Sequence, residues 1–197
     1  MAYPTVSAPY GFKPINRLDG LPYAGATRQF PVTSGQALYF GQMIELDAGG
    51  TVAPASSLTS GAKLGVFVGC QYVNSMGQTV QAQYAPASGV SNVIAYVVDD
   101  PFALFKVAVT DSGGAISTVN KSVVGTNVTA LIGTPSATTG DAGSSVLDSS
   151  PDSNAAFPFR VVAVVPETAT GADAFTEVIV KINLHQYLTA AGNAYVA

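Results

Sequence analysis

The chain has 197 residues, of which 10% are charged and 48% are hydrophobic, and its formal net charge is −4. An average soluble protein has roughly 25% charged residues, so uncharged polar side chains and glycine must supply most of this surface. The length suits one compact domain, or two small β modules that share a core. The single cysteine excludes an intrachain disulfide framework, and the scarcity of lysine and arginine argues against nucleic acid as a partner.

Neither a secretory signal nor a membrane span is predicted. The N-terminal residues lack the basic segment and the apolar stretch of a signal peptide, and no apolar run approaches the length needed to cross a bilayer. We therefore expect synthesis in the cytoplasm and no membrane partner.

The first 28 residues combine prolines with aromatic residues. The prolines are Pro4, Pro9, Pro14 and Pro22, and the aromatic residues are Tyr3, Tyr10, Phe12 and Tyr23. Proline fixes φ, lacks an N–H donor and pushes the preceding residue into extended geometry, so a helix is excluded here. We predict an extended N-terminal arm over residues 1–28 whose aromatic side chains dock onto a surface. The alternative is an arm that folds over its own core.

Residues 29–197 are predicted to form a β-rich body, because short apolar runs alternate with Gly, Ser, Pro and Asp. The predicted strands are 30–32, 38–40, 43–46, a hairpin of 65–73 and 79–84, then 93–98, 102–109, 157–165 and 175–185. Residues 111–154 are predicted to be rich in loops, with short elements only at 123–124 and 128–132. Long amphipathic helices and repeats are absent, so the predicted fold is an all-β, antiparallel barrel or sandwich. A sub-boundary near 86–92 is an option.

The closing strand has the clearest alternation in the chain. One predicted face is apolar and consists of Val178, Val180, Ile182 and Leu184, and the other is polar and consists of Glu177, Lys181, Asn183 and His185. Such a pattern is typical of a half-buried strand.

Residues suited to catalysis or metal binding are few. His185 is the only histidine, and on the polar face of a strand we expect it to meet solvent or an interface. Cys70 lies in an apolar run, where a free cysteine usually acts as a small buried hydrophobe. Glycine-rich phosphate loops and a nucleophile-elbow spacing are both missing. We therefore predict a non-enzymatic protein without a cofactor or a metal ion.

The segment Asp99-Asp100-Pro101 has two interpretations. It either forms a turn or collects a cation at a contact between subunits. The turn is favoured because Asp before Pro commonly opens one.

Several short phrases resemble small virion proteins of tailed phages, including cyanophages. They are Ala8-Pro9-Tyr10-Gly11-Phe12-Lys13-Pro14 with Arg17, Gly20, Tyr23 and Arg28, then 65–72, Asp99-Asp100-Pro101 and 180–185. The resemblance implies a capsid cement or decoration protein with a β-rich fold, on the outer surface of the virion. Its implied partners are the phage major capsid protein and other copies of itself, as a homotrimer or a dimer.

For this function the predicted docking residues of the arm are Tyr3, Tyr10, Phe12, Arg17, Tyr23 and Arg28. An arm of this kind adds main-chain hydrogen bonds along a capsid edge while its side chains fill pockets. Two alternatives remain open at this point. One is another virion component, such as a tail or fibre protein, or a β-sandwich that recognises carbohydrate. The other is a polysaccharide hydrolase, which would need two carboxylates facing each other across a cleft.

Overall fold

A computed structural model describes residues 9–168 and 176–189, and these residues form almost entirely β structure. The strands are β1 (Lys13–Arg17), β2 (Arg28–Pro31), β3 (Met43–Leu46), β4 (Val52–Pro54), β5 (Gly65–Asn74), β6 (Thr79–Ala82), β7 (Val90–Val98), β8 (Ala103–Thr110), β9 (Asn127–Val128), β10 (Ala130–Leu131), β11 (Ser145–Leu147), β12 (Phe159–Val164) and β13 (Glu177–Ile182). Two short 3-10 turns lie at Lys121–Val123 and Pro166–Thr168. The predicted all-β fold is confirmed.

One sheet contains seven strands in the order β10-β11-β8-β13-β12-β9, with β1 also paired to β8. All pairings are antiparallel except that of β11 with β8, which is parallel. Alternate residues of β8 and β13 face the interior and meet in register, as Val178 with Val107 and Val180 with Phe105. All four side chains are fully buried. This register places the main hydrophobic core on one face of the sheet.

The other sheet has the order β2-β7-β5-β3-β4, with β6 paired to β5. Its two ends approach each other, because the N–H of Thr33 donates to the carbonyl of Val52 at 2.9 Å. This contact nearly closes the sheet into a small barrel. A second core fills it, formed by Leu38, Ile44, Val52, Leu64, Phe67, Cys70, Ala85, Ala95 and Val97.

The chain leaves the seven-stranded sheet after β1 and returns to it from the six-stranded sheet at Asp99 and Asp100. β7 belongs to the six-stranded sheet because it pairs with both β2 and β5, whereas β8 belongs to the seven-stranded sheet. The change of sheet therefore falls at this dipeptide, about ten residues after the boundary suggested near 86–92. The dipeptide forms a turn, in which the N–H of Ala103 donates to the Asp100 carbonyl at 3.0 Å. This confirms the turn interpretation of Asp99-Asp100-Pro101.

Several strand predictions are confirmed and others are wrong. The hairpin of β5 and β6 is present and joins Val73 to Thr79. Residues 38–40 form isolated bridges and no strand. β11 lies inside the stretch predicted to be loops, because its buried Ser145 and Val146 pair with strands on both sides. The closing strand ends at Ile182, and Phe175 lies outside the described residues.

Gly65, at the start of β5, provides a test of how closely the neighbouring strands β5 and β7 approach each other. A Cβ at this position would lie 2.1 Å from the carbonyl oxygen of Val98. The paired β5 and β7 cannot separate here without losing ladder hydrogen bonds, so we expect Gly65→Ala to lower the free energy of unfolding by about 1–3 kcal/mol. Urea denaturation measures this change. Gly49→Ala is the control, since a Cβ there meets nothing within 4 Å, and equal losses would show that close approach is not the cause.

Candidate docking surface

Exposed apolar side chains gather at the turn that joins the two sheets. Leu18, Leu21 and Phe102 are 47%, 56% and 51% exposed, respectively. Backbone hydrogen bonds hold their two loops together, because the N–H of Leu18 donates to the carbonyl of Phe102 at 2.8 Å and that of Arg17 donates to the carbonyl of Leu21 at 2.8 Å. The three side chains therefore belong to one fixed piece of surface.

The segment after β13 brings two more apolar side chains to the same turn. Tyr187 is 42% exposed and Leu188 is 65% exposed. The hydroxyl of Tyr187 donates to Oδ2 of Asp99 at 2.9 Å. The eight exposed large hydrophobic residues of the described chain are Leu18, Leu21, Met76, Phe102, Val124, Ile132, Tyr187 and Leu188. Five of these eight lie around the Asp99–Asp100 turn, and we call these five the docking surface.

Two arginines border the docking surface, each beside one aspartate of the turn. Nε of Arg17 lies 3.1 Å from Oδ2 of Asp100, and Nε of Arg28 lies 3.1 Å from Oδ2 of Asp99. The Arg17 contact is an ion pair without hydrogen-bond geometry. Exposed ion pairs contribute only about 0–1 kcal/mol each, so their main effect is to position these loops. Both aspartates of the turn are thus paired with arginines of the same chain.

The pKa of one polar group in the docking surface, the hydroxyl of Tyr187, is strongly shifted. Burial, followed by the hydrogen bond to Asp99 and the charge of that carboxylate, raises the pKa of Tyr187 to about 12. The guanidinium of Arg28 lies 5.5 Å from the centroid of the Tyr187 ring, within the range of a cation–π contact. Asp99 therefore orders both an arginine and a tyrosine at the edge of the docking surface.

The structure places Phe12, a predicted docking residue, inside the molecule. Phe12 is fully buried in the main core, where its ring stacks on Phe159 with centroids 5.1 Å apart. The following residues form β1, which pairs with β8. Residues 12–17 of the predicted arm are thus part of the body, as the alternative of an arm folded over its own core describes. The docking role predicted for Phe12 is wrong, because its ring is buried against Phe159 and cannot contact a partner.

Tyr10 is also buried, at 9% exposure. Its hydroxyl donates to a carboxylate oxygen of Glu177, and Nζ of Lys106 lies 3.1 Å from the other oxygen. Burial first, and then the contact with Glu177, raises the pKa of Tyr10 well above its usual value. The docking role of Tyr10 is therefore corrected as well, and Glu177, predicted on a polar face, is only 6% exposed.

The remaining predicted arm residues have different positions. Arg17 and Arg28 come together at the Asp99–Asp100 turn, although they are distant in the predicted arm. Tyr23 is half-buried against the main core, and its hydroxyl donates to the carbonyl of Ala26 at 3.4 Å. Tyr3 lies outside the described residues. Two of the six predicted residues thus border the docking surface.

No protein-family model, curated protein or solved structure matches the chain.

The residues suited to chemistry are separated or buried. His185 is fully buried, so the expectation that it meets solvent or an interface is wrong. Cys70 is buried as expected; its thiol donates to the Ala82 carbonyl at 3.4 Å, and burial raises its pKa to about 11. Within residues 9–168 and 176–189, no three His, Cys, Asp or Glu side chains are grouped to hold a metal ion. Over the same residues, no helix is long and apolar enough to cross a membrane.

Sequence reasoning missed all five apolar residues of the docking surface. Leu18 and Leu21 flank Asp19 and Gly20 in the turn after Arg17, and Phe102 follows Pro101 in the Asp-Pro turn. A large apolar residue next to a turn signal is the one local hint that such side chains are exposed. Their proximity to Tyr187 depends on the return of the chain after β13, which no local pattern reveals.

Proposed function

We propose that this chain is a structural virion protein that decorates the outer surface of a phage capsid and bridges major capsid protein subunits. The observation that carries the proposal is the clustering of five exposed apolar side chains around one turn. Apolar surface of this kind, with a polar rim, commonly marks a contact with another protein. The resemblance of the Ala8–Pro14 and Asp99–Pro101 phrases to phage cement proteins supports the choice of partner.

The proposed activity requires binding alone. A protein that binds the assembled capsid but not separated subunits stabilises the assembly by mass action. Contacts with two neighbouring subunits at once would raise the free energy needed to separate them. No bond is made or broken in this role.

The magnitude of the apolar contact favours binding by several copies together. Each of the five side chains is already about half buried, so covering the remainder is worth roughly 1 kcal/mol each, or about 5 kcal/mol together. Association costs about 4–15 kcal/mol in lost translational and rotational freedom. A single copy would therefore bind weakly, and a homotrimer, or a dimer, would gain strength through effective concentration.

Binding of the native chain to purified phage heads that lack it tests this function. The heads come from the phage whose genome encodes the chain, and bound protein is quantified after sedimentation over a range of concentrations. We expect saturable binding and heads that resist heat or low salt better once they are occupied. Sedimentation of heads without bound protein at every concentration would overturn the proposal.

A further inference from the structure

The segment that carries Tyr187 and Leu188 is tied to both sheets just before these residues. The N–H of Asn183 donates to the carbonyl of Pro158 at 2.7 Å, beside β12. The N–H of Lys63 donates to the carbonyl of Leu184 at 2.8 Å, and that of Gln186 donates to the carbonyl of Lys63 at 3.0 Å. Main-chain ladder contacts thus hold the segment as far as Gln186.

Tyr187 itself is held by a side chain. The N–H of Tyr187 donates to Nδ1 of His185 at 3.2 Å, and the two rings lie 5.2 Å apart. Leu188 follows in a turn, where its N–H donates to the carbonyl of His185 at 2.9 Å. The ring of His185 therefore holds Tyr187, and its backbone carbonyl holds the adjoining Leu188.

The hydrogen bonds of His185 define its protonation state. An Nδ1 that accepts a hydrogen bond carries no proton, so the neutral ring carries its proton on Nε2. His185 is fully buried, and its Nε2 makes no hydrogen bond of good geometry. Backbone groups of Leu64 and Asp99 lie close enough to the ring to favour its protonated form. The hydrogen bond that the ring accepts from the N–H of Tyr187 needs an unprotonated Nδ1.

Charged and titratable groups reach His185 from each neighbouring element. Asp99 and Asp100 face it from the β7–β8 turn. The backbone of Lys63 forms a parallel β-bridge with the backbone of His185. The ring of Tyr187 packs on the ring of His185, and the guanidinium of Arg28 lies over the Tyr187 ring. Burial lowers the pKa of His185 from its ordinary value of 6.5. The charge of Asp99 opposes that shift most strongly, followed by a hydrogen bond with the backbone of Leu64, the charge of Asp100 and a hydrogen bond with the backbone of Asp99. The ring is therefore neutral near pH 7 and gains a proton only under acidic conditions.

A second proton would remove the contact that holds Tyr187. Nδ1–H would then face the N–H of Tyr187, and two donors cannot bond to each other. The charged ring would also compete for Asp99, whose Oδ2 now accepts from Tyr187 at 2.9 Å and pairs with Arg28. Both polar contacts of Tyr187 would weaken in the same step.

We propose that His185 is a pH-sensitive latch: the neutral ring holds Tyr187, and with it the adjoining Leu188, in the docking surface, and protonation releases the pair. Regulation of capsid attachment by this latch rests on the proposed function. The release of Tyr187 and Leu188 on protonation does not depend on it. Acid would free part of the docking surface while both sheets stay folded. The unfolded chain also takes up this proton more readily than the folded one, so stability falls as the pH drops below about 6.5.

Hydrogen exchange of the Tyr187 and Leu188 amides, measured by NMR, tests the release. After correction for the intrinsic pH dependence of exchange, we expect the native chain to show about tenfold less protection at these amides near pH 5.5 than near pH 7.5. His185→Asn supplies an uncharged acceptor in place of Nδ1 and cannot titrate, so its protection should not change with pH. Equal loss of protection in both proteins would overturn the latch.

Two further measurements distinguish failure of the latch from failure of the proposed function. If His185→Asn does not fold, the native chain is titrated alone: a shared midpoint for the His185 ring and Tyr187 amide signals supports the latch, and different midpoints overturn it. Binding to phage heads at both pH values is then compared. Weaker binding by the native chain near pH 5.5 supports control of docking, and equal binding overturns it. Absence of binding near pH 7.5 would contradict the proposed function and leave the exchange result standing.

Discussion

Replacing Phe12 with alanine is expected to lower the free energy of unfolding by about 3–5 kcal/mol. Phe12 is fully buried, and its ring stacks on Phe159 in the main core. The residues that follow form β1, so loss of the ring leaves a cavity where the N-terminal segment joins the seven-stranded sheet. Urea denaturation followed by circular dichroism measures the change.

Phe102→Ala is the matched control for this prediction. It removes the same atoms from a side chain that is 51% exposed, so the free energy of unfolding should change by about 0.5 kcal/mol or less. If Phe12→Ala unfolds at the same urea concentration as the native chain, Phe12 is not a core residue. That result would support the docking arm predicted from the sequence. Deletion of residues 1–28 is a poorer experiment, because it removes Phe12 and the whole of β1.

Combining Phe102→Ala with Leu21→Ala is expected to weaken binding to phage heads by about 10- to 100-fold. Both side chains are about half exposed, and their loops are joined through the Leu18–Phe102 hydrogen bond. Their removal takes away apolar contact area while the core stays intact. Binding curves on purified heads measure the loss, and unfolding curves confirm that the variant is folded.

Met76→Ala serves as the control for binding. Met76 is 82% exposed and lies in the turn after β5, whereas Gly65 at the other end of that ten-residue strand contacts Val98 and Asp99. The length of the strand separates Met76 from the docking surface by about 30 Å. Binding should therefore remain unchanged in Met76→Ala, and an equal loss in both variants would mean that apolar exposure in general drives the association.

Local alternation was sufficient to predict most of the strands. The face of β13 formed by Val178, Val180 and Ile182 is buried as expected, because period-two hydrophobicity directly reports which side of a strand meets the core. Glu177 departs from this pattern, since its partner Tyr10 lies 167 residues away in the chain. A buried polar pair of that kind depends on the tertiary fold and leaves no local signal.

The N-terminal segment shows the limit of composition as a guide. Its prolines exclude a helix, and residues 13–17 form strand β1. Its aromatic residues led to a prediction of docking that is wrong for Phe12 and Tyr10, which are buried. Composition does not say which surface, and for Phe12 it is the chain's own Phe159. His185 is a similar case, because the chain leaves the strand after Ile182 and turns inward beside Lys63.

Hydrogen exchange of the bound protein tests most directly whether the docking surface contacts the capsid. The native chain is exchanged free and bound to phage heads, and protection is compared peptide by peptide by mass spectrometry. We predict added protection in peptides that cover residues 17–21 and 100–103, and none in those that cover residues 75–78. Protection confined to residues 75–78, or no added protection at 17–21 and 100–103 in fully bound protein, would contradict this account.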